Sequence, residues 1–353
     1  MALVDEHLLD VLRRRGSDLH LMASEPPRVR VHGELLPLSD IRLSAQQVSQ
    51  MLLEIIPRRA QERFDAQDNA DFAYSIGGRA RFRVNILRHL NGLGAVFRAI
   101  AGRGVTLAEL EMPEAVHNLA RLQRGLILVT GKTGSGKSTT LSAIVDDINT
   151  RTHGHIITIE DPIEFVHQRK GCLISQREVG LHAPSFAAAL RSALREDPDV
   201  VLVGELRDLE TMSIAVTAAE MGILVLATLH TNGAAQTIDR MINTFPADKQ
   251  PHVRTMLSTS LRGVISQQLL QRADAAGRIA AMEIMLNTSA VANLIRQDKL
   301  EQLESTLQSG AHLGMRTMDS AIATLLEEGR ISGREAYAKA QNKARFEATK
   351  ESG

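Results

Sequence analysis

A glycine-rich run, Gly131-Lys132-Thr133-Gly134-Ser135-Gly136-Lys137-Ser138-Thr139, constrains this chain more than any other stretch because of what flanks it. Residues 126–129 ahead of it form a short continuous apolar run, the pattern of a buried parallel strand. Residues 140–148 behind it place Leu141, Ile144, Val145 and Ile148 at helical spacing. Strand, glycine loop and helix in that order let successive backbone N–H groups curl around an anion at the positive end of the helix dipole. The spacing is the G-x-x-x-x-G-K-S pattern of a phosphate loop, which predicts a nucleotide-binding protein. Thr133, Gly134, Ser135, Gly136, Lys137, Ser138 and Thr139 are the expected contacts to ATP. Lys137 is expected to reach the β- and γ-phosphates as a point charge, and the Ser138 hydroxyl to ligate the Mg2+ that bridges them.

The pattern around this loop predicts the rest of an α/β domain. Short apolar strands at 126–130, 155–159, 200–203 and 222–229 alternate with helical stretches, the rhythm of a parallel sheet. Helical spacing at 249–267, 289–308, 318–328 and 332–343 predicts a mostly helical C-terminal region from about 287 to 353. Ahead of the loop the periodicity differs. Helices are predicted over 2–15, 44–55 and 58–67, and alternating strands over 18–21, 28–31, 34–38, 71–76, 80–87 and 93–100. His32-Gly33 and Gly77-Gly78 mark hairpin turns. This is an α+β domain over 1–100, followed by a linker over 101–112 and the second domain over 113–353. A chain of 353 residues exceeds the size at which one core keeps growing, which agrees with two domains.

Charge and composition exclude several alternatives. Forty-one basic residues balance forty-one acidic ones, which gives no general attraction to nucleic acid or anionic lipid. A ring helicase is a further class of nucleotide-driven motor, but no tryptophan and 3% aromatic residues leave little to stack on bases. The single cysteine, Cys172, excludes an internal disulfide and a multi-cysteine zinc site, as expected of a cytoplasmic protein. No apolar stretch approaches the roughly 20 residues that span a bilayer, and the N-terminus is a poor secretion signal, so a membrane role is expected only through a partner.

In an open α/β sheet, ligands bind beyond the carboxyl ends of the strands. Three predicted strands end informatively: Glu160-Asp161-Pro162-Ile163-Glu164 after the second, Gly204-Glu205 after the third, and His230-Thr231 after the fourth. Phosphoanhydride hydrolysis needs neutralised phosphates, a positioned water and a cation at the γ-phosphate. Glu205 fits a carboxylate that holds Mg2+ through water, Glu164 or Glu160 can polarise the attacking water, and His230 can hydrogen-bond the γ-phosphate. Each carboxylate alone also fits a helix cap or a solvated loop charge. Arg79, Arg81 and Arg83 alternate along one predicted strand and share a face, with Arg98 near the end of the next. Arg191 and Arg195 share a helix face. Both sets fit either a solvated basic edge or arginines supplied to a neighbouring subunit's nucleotide.

Together these motifs resemble those of the secretion ATPase superfamily. The phosphate loop resembles its Walker A, the Glu160 to Glu164 segment its Asp box, Val203-Gly204-Glu205-Leu206-Arg207-Asp208 its Walker B, and Thr228-Leu229-His230-Thr231 its His box. Within that superfamily the chain is most similar to the type IV pilus retraction ATPases, through Gly16-Ser17-Asp18-Leu19-His20-Leu21, Ala80-Arg81-Phe82-Arg83-Val84-Asn85 and Gly314-Met315-Arg316-Thr317-Met318-Asp319. The resemblance implies a PAS-like N-terminal domain, a RecA-like ATPase domain, ATP bound between them, and a homohexamer at the cytoplasmic face of the inner membrane that turns an inner-membrane platform protein. It makes Glu164 the favoured catalytic base and Arg81, Arg83 and Arg98 candidates for contacts across closed interfaces. One segment departs from the family. Where retraction ATPases carry Ala-Ile-Arg-Asn-Leu-Ile-Arg-Glu, this chain reads Ala290-Val291-Ala292-Asn293-Leu294-Ile295-Arg296-Gln297. Ala292 and Gln297 fit either a compensated motor or an accessory ATPase acting with a second retraction ATPase.

Overall fold

The computed structural model describes residues 2–31, 33–77, 80–100 and 104–351. His32, Gly78, Arg79 and Gly102, on which parts of the expected turns, arginine row and linker fall, lie outside the described residues. The chain divides into two units, Met1–Arg103 with Pro162–Val166, and Gly104–Asp161 with His167–Gly353.

The first unit is built on period-two strands. Among the described residues, β1 (Asp18–Met22), β2 (Arg28–Val31), β3 (Glu34–Pro37), β4 (Asn69–Ile76), β5 (Ala80–His89) and β6 (Gly92–Ile100) form a six-stranded antiparallel sheet, ordered β3-β2-β1-β6-β5-β4. Leu19, Leu21, Phe82, Val84 and Phe97 turn to one face and join side chains of three helices in a single core. Leu8 and Val11 come from helix Asp5–Arg13, Val48 and Leu52 from Ala45–Leu53, and Phe64 from Arg58–Gln67. Alternation then sends Asp18, Arg81, Arg83 and Arg98 to the opposite face.

The second unit holds β7 (Gly125–Thr130), β8 (His155–Glu160), β9 (Leu173–Glu178), β10 (Val200–Val203), β11 (Leu224–Leu229), β12 (Leu261–Gln271) and β13 (Arg278–Leu286). Among the described residues they form a seven-stranded sheet ordered β13-β12-β7-β11-β10-β8-β9, parallel throughout except for the β12/β13 pair. Strands β7, β10 and β11 are buried at every position, because apolar side chains point into a separate core on each face.

The structure corrects two expected helical stretches, and it adds strands β9 and β13, which the sequence expectation lacks. The helix expected over 249–267 ends as Gln250–Ser260, and the chain then extends into β12; the sheet is therefore mixed rather than wholly parallel. Leu257, Leu261, Val264 and Ile265 satisfy helical spacing as well as a buried run, and pairing with β7 and β13 decides between them. Opposite Leu126 and Ile127, β12 carries one extra residue, Arg262, a bulge held by hydrogen bonds from its guanidinium to the Arg124 and Thr259 carbonyls at 3.1 and 2.9 Å. The helical stretch expected over 289–308 is also broken, into Ser289–Arg296 and Leu303–Ser309. Helices Met318–Glu327 and Gly333–Lys339 follow.

Candidate active site

Register brings the informative strand ends to one edge of the second sheet. Val203 is level with Ile159 and Ala227, and Leu229 with Thr130. The residues that follow β7, β8, β10 and β11 therefore emerge side by side, as expected of a parallel sheet that binds ligands beyond its carboxyl edge.

The first of these is the glycine loop. Gly131, Gly134 and Gly136 have φ of 140°, 79° and 90°, in the region that L side chains rarely adopt. At Gly131 space forbids a side chain as well: a Cβ would stand 2.4 Å from the Gln267 carbonyl oxygen and 2.6 Å from Ser135 Oγ. The loop feeds helix Lys137–Arg151, whose N-terminus has no side-chain cap. Its leading N–H groups are thus available to an anion. Lys137 is 8% exposed, and its Nζ donates to the carbonyls of Gly131 at 2.8 Å and Lys132 at 3.1 Å. Ser138 and Thr139 sit half-buried in the first turn of the same helix.

Gln267 is a site residue that sequence reasoning missed, because its stretch looked helical. From β12 its buried amide donates through Nε2 to the Ser135 carbonyl at 2.6 Å and accepts through Oε1 from the Thr140 hydroxyl at 2.9 Å. It ties the loop to the first turn of the helix behind it. Gln267→Leu keeps the bulk but strands both partners, at about 1–3 kcal/mol for each buried group left unsatisfied. The expected result is a urea midpoint lowered by the equivalent of about 2–6 kcal/mol and weaker ADP binding; unchanged ADP affinity would show that the loop holds its shape without this side chain.

Glu205 follows β10 and is mostly buried. Its Oε1 lies 3.1 Å from His230 Nε2 and its Oε2 2.8 Å from Arg207 Nε. The other ring nitrogen of His230 is 3.5 Å from the Thr133 hydroxyl. A chain of polar groups thus runs from the glycine loop through His230 to Glu205. The Thr228 hydroxyl donates to the Gly204 carbonyl and pins the two strand ends together. Glu160, at the end of β8, accepts from Thr158 Oγ1 at 2.7 Å and from Gln176 Nε2 at 3.3 Å.

The other expected residues divide between the two units. Glu164 belongs to the Pro162–Val166 segment of the first unit. The shared helix face expected for Arg191 and Arg195 is not formed: helix Phe186–Ala193 ends before Arg195, which is exposed in the turn beyond it and donates to the Arg191 carbonyl at 3.0 Å, while Arg191 pairs with Glu210. On the first unit, Arg83 lies directly opposite Arg98 across β5 and β6, and Arg98 directly opposite Asp18 across β6 and β1. Arg98 Nε reaches Asp18 Oδ1 at 2.9 Å, and Arg83 Nε lies 3.7 Å from Asp71. Burial alone would raise the Asp18 carboxyl, but hydrogen bonds from the Ser17 hydroxyl and Arg98 outweigh it and hold the group below its ordinary value. Arg81 shares this face, two positions along the strand from Arg83. In the segment that departs from the retraction motif, Val291 and Ile295 are buried, Ala292 is half-buried and Gln297 exposed.

Among the described residues, no helix is long and apolar enough to cross a membrane. A family model described as type II/IV secretion system protein matches residues 1–338. The chain is 48% identical over 338 residues to the type IV pilus retractation ATPase PilT of Pseudomonas aeruginosa, a match that covers 96% of this chain and 98% of that protein. It is 41% identical to the type IV pilus ATPase PilU of the same organism, over 94% of this chain and 87% of that one. The crystal structure of the pilus retraction motor PilT with bound ADP matches with a TM-score of 0.91 at 39% identity, and the match covers 99% of each chain.

Proposed function

Because the chain belongs to the type II/IV secretion system protein family, we propose that it is the ATPase that powers type IV pilus retraction, in which pilin subunits leave the fibre and the cell twitches forward. The observation that carries this reading is the near full-length identity to PilT, which exceeds that to PilU of the same organism.

The residues divide the work as follows. The backbone of Thr133 to Thr139 wraps the phosphates of ATP, with Lys137 supplying the fixed positive charge. Glu205 is the Walker B carboxylate, and His230, already in contact with both Glu205 and Thr133, senses the γ-phosphate. Glu164 is the proposed base for the attacking water, and Arg81, Arg83 and Arg98 are the cations proposed to reach nucleotide at ring interfaces. Mg2+ fits the donor set: Ser138 and Glu205 offer hard oxygens, and both Glu205 oxygens already have partners, which suits contact through water. Ser138 and Glu205 would hold such an ion, which when bound would supply neutralisation of phosphate charge.

The proposed assembly is a homohexamer at the cytoplasmic face of the inner membrane, acting on the pilus platform protein, with membrane contact only through that partner and no nucleic acid. Ala292 and Gln297 favour one second reading, an accessory ATPase that acts with a stronger retraction motor. Deletion of the gene decides between them. The motor reading expects excess surface pili and no twitching, whereas near-normal twitching with a second retraction ATPase present would favour the accessory one.

A further inference from the structure

Glu283 is a buried carboxylate with no part in the chemistry above. It lies on β13, 8% exposed, and accepts two backbone N–H groups from two different helices. Oε1 accepts from Ala234 at 2.6 Å and Oε2 from Met318 at 3.2 Å. Burial raises its carboxyl above the ordinary value, against the pull of those two amides. Keeping an acid in such a place is costly unless its two acceptors are needed together.

The first helix, Ala234–Asn243, is the one that follows His230, and it has no side-chain cap of its own. Glu283 supplies that role from another strand. A second tether lies beside it: Gly233 N donates to Ser266 Oγ at 2.8 Å, and Ser266 is the cross-strand partner of Glu283. Thr237, in the first turn of this helix, meets the Thr231 hydroxyl at 2.8 Å and Thr130, the last residue before the glycine loop, at 3.4 Å. The second helix, Met318–Glu327, packs Met318, Ala321 and Ile322 against Leu270 and Ala281 of the β12–β13 hairpin. A continuous set of polar contacts therefore leads from the nucleotide site to the C-terminal helices.

We propose that Glu283 is a positioning residue that couples the two: one rigid carboxylate fixes the N-terminus of the His230 helix relative to that of Met318–Glu327, so a shift at the nucleotide site carries into the C-terminal part. The charge suits the positive ends of both helix dipoles. A glutamine offers one acceptor and one donor, so it can keep only one of the two bonds. The inference rests on the nucleotide-site reading above.

Hydrogen exchange on the full-length protein, with and without ADP, tests it, with binding of a fluorescent ADP analogue measured in parallel. In the unaltered protein, ADP is expected to change exchange at the Met318 to Ala321 amides about tenfold, within the usual range of coupling between sites. In Glu283→Gln that response is expected to vanish, while ADP still protects the glycine loop. A full response in Glu283→Gln, or none in the unaltered protein despite ADP binding, would overturn the coupling alone. Absence of ADP binding in the unaltered protein would overturn the nucleotide-site reading as well. Should Glu283→Gln not fold, Ser266→Ala releases the neighbouring tether and is expected to weaken the response several-fold; an undiminished response there would also overturn the coupling.

Discussion

Lys137→Ala is expected to abolish measurable ATP turnover in a protein that remains folded. The loss follows from the position of the ammonium group. Its Nζ is held within the loop by the Gly131 and Lys132 carbonyls, from where it can meet charge that builds on the phosphates during transfer. Loss of one donor of this kind costs about 10²–10³ in kcat. The substitution also unties two carbonyls of the loop, so ADP binding should weaken as well. Phosphate release, ADP affinity and a thermal melt on the same preparation separate these effects from misfolding. In cells the variant should not twitch. Normal twitching from a strain whose only change is Lys137→Ala would transfer the mechanical work to another ATPase and leave this one as its accessory.

Glu205→Gln is the second change with a large expected effect, and it has the opposite signature. The amide keeps the size of the side chain but removes the charge that sits between Arg207 and His230. If Glu205 organises the charged groups only as the phosphoryl group moves, kcat should fall by about 10² or more while ADP affinity changes little, a loss of about 3 kcal/mol confined to the transition state. Single-turnover hydrolysis beside ADP titration reads the two quantities separately. Equal losses in both would mean that Glu205 chiefly holds the glycine loop in shape through His230 and Thr133.

Most of the architecture was legible where one signal dominated. The alternating strands of the first unit and the fully apolar strands β7, β10 and β11 each have a single favoured period, and all were found within a few residues. The glycine loop was legible because Gly131 has no substitute: backbone angle and crowding both exclude a side chain. Residues 261–267 were misread because their spacing fits two periods at once, and only the neighbouring strands choose. That misreading hid Gln267, whose role exists only once β12 lies beside the glycine loop. Glu283 gave no local signal, since its two partners lie far away in the sequence on either side. Arg195 fits the helical spacing of Arg191, but helix Phe186–Ala193 ends before it, because that spacing does not mark where the last turn closes.

The bulge at Arg262 gives β12 a phase. Adjacent residues of a strand face opposite ways, so the extra residue decides that Gln267 turns toward the glycine loop and Ser266 toward Gly233 and the Glu283 side of the hairpin. Deleting that one residue, or adding another, would exchange the two addresses and disconnect both the phosphate loop and the helix after His230, although every side chain would still be present. Substitution within β12 keeps this phase, whereas a change in its length does not. The turn between β12 and β13 is exposed from Asp274 to Gly277 and lies beyond both Ser266 and Gln267, so a change of length there leaves the two addresses in place.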